Sequence, residues 1–354
     1  MDLTSRIEAF SKLGKFLSQF SREKIAEKED IPFNELFYDG FLHQINLAEE
    51  HNAWFTKDNI LYALEGWSAA LTSQKLTNWL EKYDFSSNTE LKKVGIVMAG
   101  NIPLVGFHDF LSVLICGHSV LVKQSSNDRN LLPFLAKYLE YVAPEFKGRI
   151  AFTEDKLEDF DAVIATGSNN TARYFEYYFK DVPSIIRKNR NSVAILTGNE
   201  TEEDMQALSE DIFRYYGLGC RSVSKVFVPK GYDFDALFKG VYHQSAIIET
   251  AKYANNYDYN KAVYIMSQFD ILENGFLMIK EDESCSSPIA TLFYETYKDT
   301  NELKERLKND EDQIQCIVSK GFTDSEITFG QTQCPELNDY ADGEDTIEFL
   351  LKRC

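Results

Sequence analysis

Several features that would mark a function outright are missing from this chain of 354 residues. Its six cysteines, at positions 116, 220, 285, 316, 334 and 354, lie far apart and form no Cys-x-x-Cys pair. Met1-Asp2-Leu3-Thr4 has neither the basic start nor the apolar core of an export signal. Both absences predict free thiols in a reducing cytoplasm, not a disulfide framework. The histidines at 43, 51, 108, 118 and 243 lack metal-ligand spacing, so no metal site is expected. Positive charge is scarce: 37 basic residues face 56 acidic ones, for a net charge of −19. That balance excludes a nucleic-acid backbone as partner and disfavours an anionic membrane surface. The longest apolar run, Phe110 to Val122, is broken by Gly117 and His118 and is too short to span a bilayer. Two phosphate-binding patterns also fail. Gly217-x-Gly219 has Ser222 where a third glycine is needed, and Gly95-x-x-x-x-Gly100 has Asn101 where a P-loop needs lysine.

Apolar material is plentiful, at 44% hydrophobic and 14% aromatic residues. A chain of this length exceeds what one core usually serves, which predicts two domains or a domain with an appendage. Residues 1–85 read as a helical segment. Ser5-Arg6-Ile7-Glu8 has the form of a capping box, and Ile7, Phe10, Leu13, Leu17 and Phe20 recur at helical spacing. A second helix is predicted from Thr56, with Ile60, Leu64, Trp67 and Leu71 on one face. This stripe predicts packing on the main body, with a lid over a lipid-like substrate as the lesser alternative. The polar stretch 85–90 reads as a linker.

From residue 86 strands alternate with helices, the pattern of βαβ units and a parallel sheet. Strands are expected at 94–98, 120–122, 150–152 and 162–165, with 192–196 closing the set. Helices are expected at 104–116, 131–142 and 170–179. A helix over 204–216, a strand over 223–228, strands near 264–265 and 289–293, and a helix over 302–307 follow. The expected fold class is therefore α/β: a parallel-sheet nucleotide-binding domain over 86–198, an α/β catalytic domain over 199–330, and a tail over 331–354 that returns to the body.

Four junctions between elements carry residues suited to chemistry. Cys220 lies in Arg214-Tyr-Tyr-Gly-Leu-Gly-Cys-Arg221, between a helix and a strand. Such a thiol is either a small buried hydrophobe or an accessible nucleophile. Asn101 lies in a Gly-Asn-Ile-Pro turn, where its amide either suits the turn or donates to a developing oxyanion. Lys123 leaves a strand at the edge where open α/β sheets bind ligands, or is simply solvated there. Thr166-Gly167-Ser168 ends a strand and opens a helix. It is an ordinary capped turn or a place where backbone approaches a phosphate.

Taken in order, Gly-Asn-Ile-Pro, Val-Leu-Val-Lys, Thr-Gly-Ser and Gly-x-Gly-Cys resemble the aldehyde dehydrogenase superfamily. Within it the chain is most similar to the LuxC-like acyl-CoA reductases, and the tail Phe329 to Thr346 resembles their C-terminal signature. The resemblance covers residues 90–354. It implies an aldehyde dehydrogenase-like fold and assigns roles. Cys220 would be the nucleophile, with Asn101 and the Cys220 backbone N–H as oxyanion hole. Lys123 would hold the adenosine ribose or its phosphate, and Gly167 and Ser168 would lie near the pyrophosphate.

Two departures from the family pattern bear on the reaction. Aldehyde-oxidising members carry a Glu-Leu-Gly-Gly segment whose glutamate activates water. The matching stretch here, Arg187 to Val193, has no carboxylate, which favours thioester reduction. NAD-preferring members often place an acid three residues after the lysine. Ser126 stands there, so NADPH is the expected cofactor. Glu283 is one residue out of register with the superfamily's Glu-x-Phe-Gly-Pro segment and is not assigned. The reading is NADPH-dependent reduction of an acyl-CoA, a fatty one by resemblance, to an aldehyde through an acyl-enzyme on Cys220. The alternatives are reduction of another activated acyl group, such as an acyl phosphate, and a nucleotide-binding partner protein without turnover. A homo-oligomer or an acyl-activating partner enzyme remains open.

Overall fold

A computed structural model describes residues 1–86, 90–323 and 326–354. The chain divides into two compact units, residues 1–188 with 336–354, and residues 189–335. Residues 87–89, within the stretch read as a linker, lie outside the described residues.

The first unit opens with helices α1 (Leu3–Leu17), α2 (Asn34–His51), α3 (Lys57–Ala70) and α4 (Ser73–Leu80). Asp2, not the expected Ser5, caps α1: its carboxylate accepts from the Ser5 N–H at 2.7 Å. The helix starts one turn earlier because an equally good cap lies upstream. Helix α3 starts where expected, with Thr56 as its cap. Helix α2 was not anticipated, although Phe37, Phe41, Ile45 and Ala48 form a buried face at helical spacing. Phe10, Leu13, Leu17 and Phe20 of the first apolar stripe are fully buried. Phe16 stacks on Tyr138 with ring centroids 4.3 Å apart. The stripe therefore packs against the body of its own unit, each buried Phe contributing ~1.5–3 kcal/mol relative to exposure.

The unit then alternates β1 (Lys93–Val97), α5 (Phe107–Ile115), β2 (Ser119–Lys123), α6 (Leu131–Val142), β3 (Ile150–Thr153), β4 (Ala162–Thr166), α7 (Asn169–Tyr178) and β5 (Ser184–Arg187). The five strands form one sheet in the order β3-β2-β1-β4-β5. All of its pairings are parallel. Chain order runs outward from β1 to β3 on one side and resumes at β4 on the other. The β1/β4 boundary is therefore a topological switch point, and open α/β sheets bind ligands beyond the carboxyl ends of their strands at such a point.

The second unit contains β6 (Asn191–Ile195), α8 (Glu202–Phe213), β7 (Val223–Pro229), α9 (Phe234–Val241), α10 (Ala251–Met266), β8 (Ile271–Glu273), β9 (Met278–Glu281), β10 (Thr291–Tyr297), α11 (Thr300–Asn309) and β11 (Ile314–Val318). Its sheet runs β11-β6-β7-β10-β9-β8, parallel except for the β8/β9 pair. Two expectations are corrected here. The strand at 192–196 does not close the first sheet: β6 lies between β11 and β7 of the second. An apolar strand reads alike in either sheet, and only its partners decide. Tyr264 and Ile265 are not strand residues but end α10, whose buried face is Tyr253, Tyr257, Asn260 and Tyr264. Aromatic residues favour strands one at a time, which hid their helical spacing.

The chain ends in α12 (Thr346–Lys352), within the first unit. His108 Nε2 bonds the Leu337 carbonyl at 2.9 Å, and Trp79 Nε1 donates to the Tyr340 hydroxyl at 2.8 Å. Arg187 and Asp109 form a buried ion pair at 2.5 Å, and Arg187 also donates to the Thr346 hydroxyl at 3.0 Å. Among the described residues no helix is long and apolar enough to cross a membrane.

Candidate active site

In the first unit, five of the residues singled out from sequence gather at the carboxyl edge of one sheet. Asn101 lies half-buried in the turn after β1, and Lys123 ends the adjacent strand β2. Its ammonium donates to the Asp155 carbonyl at 2.8 Å. Ser126 is exposed three residues on. Beyond β4, Gly167 precedes Ser168, the N-cap of α7, whose hydroxyl accepts from the Thr171 N–H at 3.2 Å.

The Asn101 turn and the loop after Lys123 are in direct contact. A Cβ on Gly100 would lie 2.5 Å from the Ser125 side chain, so only glycine permits the approach. Leu104, left-handed at φ 57°, donates its N–H to Asp128 Oδ2 at 2.8 Å. Asp128 is buried, and its Oδ1 lacks a hydrogen-bond partner among the described residues. Burial pushes its carboxyl up to about 6, against the opposing Leu104 bond. The donors on this edge are one ammonium, two serine hydroxyls and a glycine-led helix N-terminus. That chemistry fits the phosphates and ribose of a nucleotide.

Cys220 belongs to the second unit. It is exposed, whereas Cys116, Cys285 and Cys316 are buried. The turn that presents it is strained. Tyr215, Tyr216 and Gly217 are all left-handed, at φ 55°, 59° and 74°. Each non-glycine residue in that region costs roughly 1–2 kcal/mol. Such strain persists only where the surroundings over-determine it. Ser192 of β6 donates its hydroxyl to the Cys220 carbonyl at 3.0 Å, and the Ser222 N–H closes on the Gly219 carbonyl at 3.0 Å. Arg221 Nε donates to the Thr332 carbonyl, and Gln333 Nε2 to the Ser222 hydroxyl at 3.3 Å. Buried Asp211 accepts from Gly330 N, Thr332 N and Thr332 Oγ1 at 2.6, 3.0 and 2.8 Å.

Sequence reasoning missed Ser192, Asp211, Arg221 and Thr332. Arg221 adjoins the cysteine and could have been suspected; the other three gave no signal. The segment Arg187 to Val193, noted for lacking a carboxylate, supplies instead the buried Arg187 cation and the Ser192 hydroxyl. Glu283 is exposed, and its carbonyl accepts from the buried Lys225 ammonium at 2.8 Å. Among the described residues no cluster of three or more His, Cys, Asp or Glu side chains could hold a metal ion.

The five-stranded order, the second parallel sheet and the helical start define an aldehyde dehydrogenase-like fold. An aldehyde dehydrogenase from Bacillus cereus, solved as an NAD+ complex, is similar over 90% of this chain and 72% of its own, with a TM-score of 0.62 and 13% identity. Aldehyde dehydrogenase 21 from Physcomitrella patens, solved with the reaction product succinate, is similar over 100% of this chain and 84% of its own, with a TM-score of 0.68 and 10% identity. An NAD-dependent aldehyde dehydrogenase from Sinorhizobium meliloti is similar over 94% and 72%, with a TM-score of 0.62 and 14% identity. At these identities the likeness is one of fold. The family described as "Acyl-CoA reductase (LuxC)" matches residues 18–239, and the chain belongs to it. That membership makes it an oxidoreductase of acyl and aldehyde groups. The match includes much of the helical start, outside the stretch 90–354 on which the resemblance rested, and stops short of the tail from 329 to 346. The comparison with curated proteins gave no match.

Proposed function

We propose that the protein reduces an acyl-CoA thioester to an aldehyde, with Cys220 as the acyl carrier and NADPH as the reductant. The observation that carries this reading is the exposed Cys220 thiol on a strained, multiply bonded turn, in a chain of the acyl-CoA reductase family. The Cys220 thiolate attacks the thioester carbonyl carbon. The bond to the CoA sulfur breaks, CoA leaves as its thiolate and takes up a proton, and the acyl group remains on Sγ. Asn101 and the Cys220 N–H are assigned as donors to the oxyanion that develops in this step.

The bound cofactor, when present, supplies hydride to the acyl carbon. The Sγ–carbon bond then breaks, which releases aldehyde and returns the thiolate to Cys220. Lys123, Ser126, Gly167 and Ser168 are assigned to hold the nucleotide, an assignment supported by their common sheet edge. Some of the structures of similar fold are NAD+ complexes, which supports a nicotinamide nucleotide here. The neutral Ser126 beside the cationic Lys123 favours the 2′-phosphate form. Direction follows from the stretch 187–193: with no carboxylate there to activate water, the acyl-enzyme persists until it is reduced.

Intact-mass measurement after mixing with an acyl-CoA tests the reading, with the matched acyl phosphate as a second arm. A single acyl adduct is expected from the thioester, absent in Cys220→Ala. An adduct that survives that substitution overturns the assignment of Cys220, and preferential acylation by the phosphate overturns the leaving group.

A further inference from the structure

The segment 329–335 stood out in the sequence, yet the reaction above gives it no part. Its bonds are directed at the Cys220 turn and at one buried carboxylate. Asp211 sits near the end of α8, fully buried. Among the described residues it forms no ion pair. Its bonds come instead from Gly330 and Thr332, two backbone N–H groups and one hydroxyl. Burying a carboxylate costs several kcal/mol unless hydrogen bonds compensate. Here the compensation comes wholly from one turn, 119 and 121 residues further along the chain.

That turn lies against α8. Gly330 is left-handed at φ 80°, and a Cβ there would meet the Ala207 Cβ at 3.1 Å. Thr332 is itself fully buried, and its carbonyl accepts from Arg221, the residue after Cys220. Gln333 reaches Ser222, one residue further. A ring is thus closed from Asp211 to Thr332, to Arg221, and back along ten residues of chain. The left-handed Tyr215 and Tyr216 and the exposed Cys220 all belong to that stretch of chain.

We propose that Asp211 is a positioning residue for Cys220: through Thr332 and Arg221 it clamps the base of the strained turn that presents the thiol. This rests on the reading of Cys220 as the acyl carrier. The clamp gives the segment 330–333 its purpose, which is to hold the nucleophile's turn in a conformation it would not keep alone.

The test compares wild type, Asp211→Asn, Thr332→Val, Thr332→Ser and Cys220→Ala. Hydrogen–deuterium exchange is followed in the peptide 215–222 and in β7, and the rate of Cys220 acylation by an acyl-CoA by intact mass. Thr332→Ser keeps the hydroxyl and should match wild type in both. Thr332→Val and Asp211→Asn should exchange roughly tenfold faster over 215–222, with β7 unchanged. Their acylation should be at least about tenfold slower, within the ~10²-fold that misplacing a reacting group by 1 Å costs. Unchanged exchange over 215–222, faster exchange with normal acylation, or faster exchange throughout the unit would each overturn the clamp. If Asp211→Asn does not fold, the Thr332 pair decides. If Cys220→Ala still acylates normally, the reading of Cys220 fails, while the exchange data still judge the clamp.

Discussion

Ser192 donates its hydroxyl to the backbone carbonyl of Cys220 at 3.0 Å, which ties the cysteine turn to β6, one strand in from the edge of its sheet. Ser192 is fully buried, at a register shift where β6 meets β7. Removing its hydroxyl leaves the carbonyl without this donor, at a cost of about 1–3 kcal/mol. Ser192→Ala is expected to slow acylation of Cys220 severalfold and to lower stability by about that amount. Urea denaturation and acylation kinetics measure the two effects. Wild-type acylation in a destabilised variant would show that Ser192 serves the strand alone.

The Arg187–Asp109 pair links the end of β5 to α5, and the Arg187 bond to Thr346 extends it to the start of α12. Both partners are buried, so removing one leaves an uncompensated charge. Asp109→Ala should cost ~3–5 kcal/mol in urea denaturation. The double variant Asp109→Leu/Arg187→Met should cost clearly less, because it removes both charges together. Equal losses in the two proteins would mean that packing, not charge, holds this corner.

How far the sequence could be read depended on whether a feature was local. The strand–turn–helix junctions at Asn101, Lys123 and Ser168 were legible because periodicity changes from two to 3.6 within a few residues there. Thr56 was legible as a helix start because Ile60, Leu64, Trp67 and Leu71 take up helical spacing just after it. The helix over 34–51 carried the needed spacing in Phe37, Phe41, Ile45 and Ala48, but its charged face obscured it. The sheet to which β6 belongs was not legible, since pairing partners leave no mark on a five-residue apolar run. The Asp211–Thr332 contact, 121 residues apart, could not be read at all: both are common polar residues, and only the folded chain joins them.

Position 126 offers a test of cofactor choice. Ser126 is exposed on the loop after β2, three residues beyond Lys123. In the proposed nucleotide site, a glutamate there would set a negative charge against the 2′-phosphate of NADPH, while NADH carries none to repel. Ser126→Glu is expected to weaken NADPH binding by roughly tenfold or more, about 1.4 kcal/mol, and to leave NADH binding nearly unchanged. Fluorescence titration with each cofactor measures this. Equal NADPH affinity in the variant would remove Ser126 from the nucleotide site.

Asp128 makes a prediction about pH. Burial raises its carboxyl to about 6, while the Leu104 N–H bond only partly opposes the shift. In the unfolded chain the same group would titrate near 3.9. The folded state therefore binds the proton more tightly. Where the folded form is protonated and the unfolded form is not, stability falls as pH rises. The contribution of Asp128 is most favourable below about pH 4, declines from there to about pH 6, and stays at its minimum above. Asp128→Asn cannot titrate and keeps an oxygen to accept from Leu104. The unfolding free energy of wild type minus that of Asp128→Asn should therefore fall between pH 4 and 6 and level off beyond 7, measured by urea denaturation across that range. A flat difference would show that the carboxyl titrates normally.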